Sequence, residues 1–316
     1  TPRHERGRGR EEDTMNTRRH NVLTRRDFLR GAAGAGVLAT ASWAARGQGE
    51  SASASGLMSE VVLVRDRDAV SSEGAVNAEV IGRMLDDAVA ALLSEPDPVA
   101  AWKRLVKPGD TVGIKSNVAG PPRTPPELEA AIKRRVMDAG VPEDKISIDD
   151  RGVLRNPVFR NATALINVRP MRSHHWSGVG SLLKNYIMFS DSPPSWHGDS
   201  CANLAGLWDL PIVKGKTRLN ILVMLSPLFH SKGPHNYNKA YVWDYKGILV
   251  SLDPVAADAT GLRIIEAKRI EFFGEYQPLP ISPKHIQVAQ DKFGLGIADP
   301  RRINIVKRGW LEDVLI

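Results

Sequence analysis

Short apolar runs recur along most of this chain, and the stretches between them space their apolar residues as helices do. Runs at 61–64, 111–114, 146–149, 164–167, 219–225, 248–251 and 303–306 predict strands. Helical spacing covers roughly 77–94, 125–139, 254–269 and 283–292. The helix starts carry their own chemistry. Thr124-Pro125-Pro126-Glu127 has the spacing of a capping box with proline at the first helical position. Asp253-Pro254 and Ser282-Pro283 repeat the cap-then-proline order. Gly140 and Gly294 stand where helices should stop. Strands alternating with helices predict an α/β fold with a mostly parallel sheet flanked by helices. Residues 168–245 break the rhythm. They are rich in Pro, Gly, His, Asn and Trp and predict long irregular loops around a short helix. Long loops inside a domain usually carry function.

The first sixty residues follow a different pattern. Thr24-Arg25-Arg26-Asp27-Phe28-Leu29-Arg30 resembles a twin-arginine export signal. Residues 31–43 after it are uncharged, mildly apolar and too short to span a bilayer. A charged start, a short apolar stretch and small residues are the parts of a removable signal. Ser42-Trp43-Ala44 and Ala52-Ser53-Ala54 are both candidate cleavage sites. A start at Met15 would put the arginines where a signal needs them, so residues 1–14 read as an upstream extension and 15–46 as the signal peptide. Residues 47–59, rich in Ser, Ala and Gly, read as a flexible linker, leaving 60–316 as a single α/β domain. This pattern predicts a periplasmic or extracellular protein whose partner during export is the twin-arginine translocase.

Charge changes meaning once the signal is set aside. The formal net charge is +7, but residues 1–46 hold ten arginines against five acids, so only +2 belongs to the remainder. That removes the basic stripe a nucleic-acid-binding domain needs. No segment after the signal is apolar and long enough to predict a membrane span. Cys201 is the one cysteine in the chain. This excludes an intramolecular disulfide and an iron–sulfur cluster held by four cysteines of this chain.

Candidate chemistry gathers in three places. Five histidines lie between 174 and 235, namely His174, His175, His197, His230 and His235, in a stretch that also holds Asp199 and Cys201. Imidazole and thiolate are ligands for zinc or iron, which makes His174, His197 and Cys201 candidate metal ligands. Their spacing matches no compact motif, and loop histidines also cap helices and bond backbone. Lys115 and Asn117 follow an apolar strand at the end where open α/β sheets bind ligands. With the helix start near Thr124, they suit a small anion; alternatively, Lys115 pairs with a neighbouring carboxylate. Lys184, embedded in Ser181-Leu182-Leu183-Lys184-Asn185-Tyr186, can act as base or nucleophile if burial lowers its pKa, or can reach the surface along its apolar stem. Asp253 reads as a helix cap, and Asp258 one turn on has an open role.

In this order, Ile114-Lys115-Ser116-Asn117, Arg123-Thr124-Pro125-Pro126-Glu127, Leu165-Ile166-Asn167-Val168, Arg172-Ser173-His174 and Gly180-Ser181-Leu182-Leu183-Lys184-Asn185 resemble the family catalogued as domain of unknown function 362. Gly233-Pro234, Leu249-Val250-Ser251-Leu252-Asp253-Pro254-Val255-Ala256-Ala257-Asp258 and Gly294-Leu295-Gly296 continue the likeness. The resemblance implies an exported branch that carries a twin-arginine leader. It departs at Arg172, where the family usually has lysine, and in the strand around Val223, where the family often has an aspartate.

Three functional expectations follow. One is an exported enzyme or redox-associated protein, metal- or cofactor-dependent, with Lys184 and His174 catalytic and Lys115, Asn117 and Asn185 holding an anionic cofactor or ligand. Another is a non-catalytic binding protein for a small anion. The third is a partner-docking subunit of an exported complex.

Overall fold

The computed structural model describes residues 58–316. The expected export signal, both candidate cleavage sites, residues 1–14 and nearly all of the expected linker lie outside them. The elements run β1 (Ser59–Arg65), α1 (Ala78–Leu92), α2 (Pro98–Leu105), β2 (Val112–Lys115), α3 (Pro126–Asp138), β3 (Ile146–Asp149), β4 (Ala164–His174), β5 (Gly178–Gly180), the one-turn α4 (Leu182–Asn185), β6 (Thr217–Leu228), β7 (Gly247–Ser251), α5 (Pro254–Phe273), α6 (Lys284–Asp291) and β8 (Ile303–Gly309).

The strands form one sheet in the order β3-β2-β4-β6-β7-β1-β8, with β5 paired to β4 beyond this path. Along the path every pairing is parallel except the two made by β7, which runs against both β6 and β1. Side chains alternate between the faces with the period of two that a pleated strand imposes. Val62 and Val64 join Ile114, Ile166, Ile221 and Val250 beneath α1, α2 and α3. Val61 and Leu63 join Leu222, Met224 and Leu249 beneath α5 and α6. Gly261 lets α5 lie close to the sheet, since a Cβ there would sit 2.4 Å from Leu222.

All seven expected strands form, and β1 begins at Ser59, inside the expected linker. Residues 168–245 are less irregular than their composition suggests. β4 continues to His174, β5 follows it, and β6 spans twelve residues. The polar letters of Arg169, Arg172, Ser173 and His174 conceal a strand whose side chains are all buried. The capping box at Thr124 does not form. Pro125 holds the cap position of α3 without a side-chain bond. The Thr124 hydroxyl instead accepts the Asn117 N–H at 3.3 Å, while the Thr124 N–H donates to the Asn117 carbonyl at 2.9 Å. Nor does Ser282 cap α6, where Pro283 holds that position. Asp253 does cap α5: its Oδ1 accepts the N–H groups of Val255 and Ala256 at 2.8 and 3.1 Å. Its Oδ2 accepts the Ser59 hydroxyl and the Ile297 N–H. The close approach of Gly296 makes room for the latter, since a Cβ there would meet the carboxylate. Among the described residues, no helix is long and apolar enough to cross a membrane.

Candidate functional site

At the carboxyl end of β2 the Lys115 ammonium is fully enclosed. It donates to Asp150 Oδ1 at 2.9 Å, to the Ser116 carbonyl at 2.6 Å and to Asn185 Oδ1 at 3.1 Å. Burial lowers its pKa to about 8, against the opposing pull of Asp150. Asp150 also receives the N–H groups of Val118 and Ala119, both at 3.1 Å. Burial alone would raise the Asp150 carboxyl, but Lys115 and these donors hold it below its ordinary value.

Asn117 is likewise occupied, accepting from Arg172 Nη2 at 2.8 Å. Asn185 donates to the Lys115 carbonyl and to Asn167 Oδ1, both at 2.9 Å. Asn167 in turn donates to Asn220 Oδ1 at 3.1 Å. Lys115, Asn117 and Asn185, expected to hold an anion, therefore form an internal polar frame that ties β2, α4, β4 and β6 together. The strand around Val223, read as wholly apolar, contributes Asn220 to that frame. An open cleft of about 780 Å³ lies beside it over the ends of β2 and β3, lined in part by Arg123, Glu129, Asp149 and Arg151.

Four of the five clustered histidines do converge, and what gathers them is Trp176. Its ring centroid lies 4.3 Å from that of His175, 4.1 Å from His197, and 6.0 Å from both His174 and His235. His230 turns elsewhere, to Arg269 at 2.9 Å and Tyr241. The convergence is one of stacked and tilted rings. His174 Nδ1 accepts the Trp176 N–H at 3.2 Å, and His175 Nδ1 lies 3.0 Å from the Lys232 carbonyl. Burial and neighbouring cations push His174 far below the usual imidazole range and His197 to about 4. Among the described residues, no three His, Cys, Asp or Glu side chains come together as a metal-ligand set. His174, His197 and Cys201 thus surround a tryptophan without forming the expected centre.

Beneath this aromatic layer lies a second group, whose cations Lys184 and Arg169 make no salt bridge with any described residue. Lys184 is 4% exposed and donates to Cys201 Sγ at 3.5 Å; the Trp176 ring centroid is 5.9 Å from its Nζ. Burial, and then Arg169, hold Lys184 down to about 8 even though Cys201 pulls upward. The thiol is itself raised by burial. Cys201 closes a segment in which Asp199, Ser200 and Cys201 all adopt positive φ, at 46°, 57° and 64°. Each such residue costs roughly 1–2 kcal/mol, and backbone strain of this kind concentrates at functional sites.

Arg169, in the middle of β4, is 4% exposed, and its side chain makes no hydrogen bond or salt bridge with any described residue. Burial lowers it to about 9, and Arg172 adds to the effect, against the opposing pull of Asp150, Asp258 and Cys201. His285 at the start of α6 is fully buried, and neither ring nitrogen has a hydrogen-bond partner among the described residues. Burial holds it to about 3, with the charges of Lys184 and Arg169 contributing.

Asp258 fixes the scaffold of this group. It accepts from the Ser181 hydroxyl and the N–H groups of Leu182 and Leu183, so the turn carrying Lys184 is held at its start. Gly180 lets the guanidinium pack against the backbone of β5: a Cβ there would lie 2.9 Å from Arg169 Nη2 and 3.4 Å from His174 Cδ2. Lys184, His174 and Cys201 were singled out from sequence. Arg169 was passed over as a loop residue, and His285 lies outside the histidine-rich stretch. The apolar run leading into Arg169 was the signal that its strand continues.

Comparison with known proteins returns no matching family model, no matching curated protein and no matching solved structure.

Proposed function

We propose that this protein binds a small anion, of carboxylate or phosphate size, between Arg169 and Lys184. One observation carries the reading: the Arg169 guanidinium is buried without a hydrogen bond to any described residue. An isolated buried charge is costly and is normally paired. Around it, Lys115, Lys184, Arg169 and Arg172 are buried cations, whereas the buried carboxylates of the same region are Asp150 and Asp258. An anion entering here would supply the missing charge and hydrogen-bond acceptors. Charge-assisted bonds to a guanidinium fork are among the stronger ones available.

The test is thermal unfolding in the presence of phosphate, sulfate, oxalate, pyruvate and citrate. A ligand at a hundred times its dissociation constant adds about 2.7 kcal/mol of stability. At least one of these anions should raise the melting temperature of the wild type and leave a folded Arg169→Met variant unmoved. No shift with any of them, or an equal shift in Arg169→Met, would sink the proposal.

Export rests on the sequence alone. Thr24-Arg25-Arg26-Asp27-Phe28-Leu29-Arg30 followed by an uncharged stretch supports passage through the twin-arginine translocase and action outside the cytoplasm. Replacing both Arg25 and Arg26 by lysine should leave the protein in the cytoplasmic fraction; unchanged export would refute this route.

A further inference from the structure

Resting on the anion reading above, we infer that Lys184 forms an imine with the carbonyl carbon of a small 2-oxo carboxylate whose carboxylate group sits on Arg169. The fold contains its own control for this assignment. Lys115 and Lys184 are both buried lysines near the carboxyl ends of strands. Lys115 has the environment of a structural lysine: a carboxylate at 2.9 Å and two further oxygen acceptors. Lys184 has neither a carboxylate partner nor an oxygen acceptor among the described residues. Its one hydrogen-bond partner is a thiol at 3.5 Å. Its position is nonetheless fixed, because Asp258 anchors the turn that carries it. A lysine enclosed beside other cations is one of the known ways to keep an amine nucleophilic. With a pKa of about 8, roughly a tenth of the amine is unprotonated at pH 7.

The unpaired guanidinium selects the substrate class. In a 2-oxo acid the carbonyl carbon is bonded directly to the carboxylate. A cation that seats the carboxylate therefore delivers the carbonyl to whatever nucleophile stands beside it, and the two residues sit on joined segments: Asn185, next to Lys184, donates to the Val168 carbonyl, next to Arg169, at 3.1 Å. Gly180 lets the guanidinium lie close against β5 at that point, since a Cβ there would meet Arg169 Nη2 at 2.9 Å.

The step balances without an oxidant or reductant. The Lys184 ammonium gives one proton to water, and the nitrogen lone pair attacks the carbonyl carbon. A C–N bond forms, and the π electrons of C=O move onto oxygen. That oxygen takes up one proton from water and a second from the nitrogen, and leaves as water when the C–O bond breaks. A protonated C=N bond to Lys184 remains. Overall, ammonium plus ketone gives protonated imine plus water.

The experiment treats the full chain with pyruvate or 2-oxoglutarate and sodium cyanoborohydride, followed by intact mass measurement and peptide mapping. The expected result is a single saturable adduct on Lys184. It should be absent in Lys184→Met and reduced at least tenfold at low 2-oxo acid concentration in Arg169→Met. Acetone, which has the carbonyl but no carboxylate, should label poorly. No adduct on Lys184, or the same labelling in wild type and Lys184→Met, overturns the imine. If anions stabilise the wild type through Arg169 and no adduct forms, the imine fails and the anion site stands. If no anion stabilises the wild type, the anion site itself has failed.

Discussion

The Ser181 hydroxyl donates to Asp258 Oδ2 at 2.7 Å across 77 residues of sequence, and both side chains are fully buried. Two adjacent N–H groups, those of Leu182 and Leu183, point at the same carboxylate at 2.9 Å each. One aspartate on α5 thereby sets the direction of the turn that presents Lys184. The helix packed on the sheet and the reactive amine are mechanically one unit.

Burial raises the Asp258 carboxyl to about 6, although its three donors pull the other way. A carboxyl with a raised folded-state pKa binds its proton more tightly folded than unfolded. Its contribution to stability is therefore full below about 4 and lost as the pH rises through about 6. The stability of wild type minus that of Asp258→Asn should fall by up to about 2–3 kcal/mol between pH 4 and pH 7. Urea unfolding of both proteins at four pH values measures this. Parallel pH profiles would count against a raised carboxyl at Asp258.

Arg169→Met should make the unliganded protein more stable, by about 1–3 kcal/mol, because it replaces an unpaired buried charge with an apolar side chain of similar length. In the same variant the stabilising effect of the anion should disappear. Calorimetric melting with and without ligand reads both effects. A destabilised Arg169→Met would mean that the guanidinium already has a structural role.

Asp150→Ala should be the most damaging single change at the polar frame. It strands the enclosed Lys115 ammonium and leaves the Val118 and Ala119 N–H groups without their acceptor. Removing one partner of a buried pair costs about 3–5 kcal/mol. Lys115→Met placed in the Asp150→Ala background should recover part of that loss, giving a coupling of at least 1 kcal/mol in a double-mutant cycle.

Gly180→Ala separates site from scaffold. Its φ lies outside the left-handed region, so alanine strains no backbone and meets the side chains of Arg169, His174 and Arg172, the guanidinium of Arg169 most closely. Anion affinity should fall at least tenfold with a stability change below about 1.5 kcal/mol, checked by titration calorimetry beside thermal melting. Unchanged affinity would move the anion away from this face of β4.

The sheet was legible because its strands announce themselves locally. Each of 61–64, 111–114 and 219–225 is a short apolar run that strand geometry accommodates whatever its neighbours are, and the helix start at Asp253 depends only on its own N–H groups. Thr124 shows where such reading stops. It has the right spacing for a cap, but the loop from Asn117 folds back and takes its hydroxyl. The second half of β4 was hidden for a related reason. Arg172 looks like a surface residue until the loop around Gly120 covers it, and Arg172 bonds the Gly120 and Pro122 carbonyls; Gly233 packs so close to β4 that a Cβ there would lie 2.8 Å from the Ser173 carbonyl oxygen. Lys115 and Asn117 were visible as unusual residues at a strand end. Their partners, Asp150 and Arg172, are 35 and 55 residues further along the chain, and no local pattern announces such a pairing.

The place of β1 in the sheet has a consequence for how the chain acquires its structure. β1 precedes every other described strand in the chain, yet its neighbours are β7 and β8, and Ser59 bonds Asp253 across 194 residues. β2, β3, β4 and β6 can assemble among themselves as they appear. β1 has to wait, unpaired on both edges, until almost the whole chain has followed it. Its seating is thus a late, high-contact-order event, of the kind that limits folding speed. A ribosome-bound chain that has exposed residues up to 240 would hold a sheet lacking its amino-terminal strand, and pulse-labelling hydrogen exchange should find the amides of 59–65 protected last.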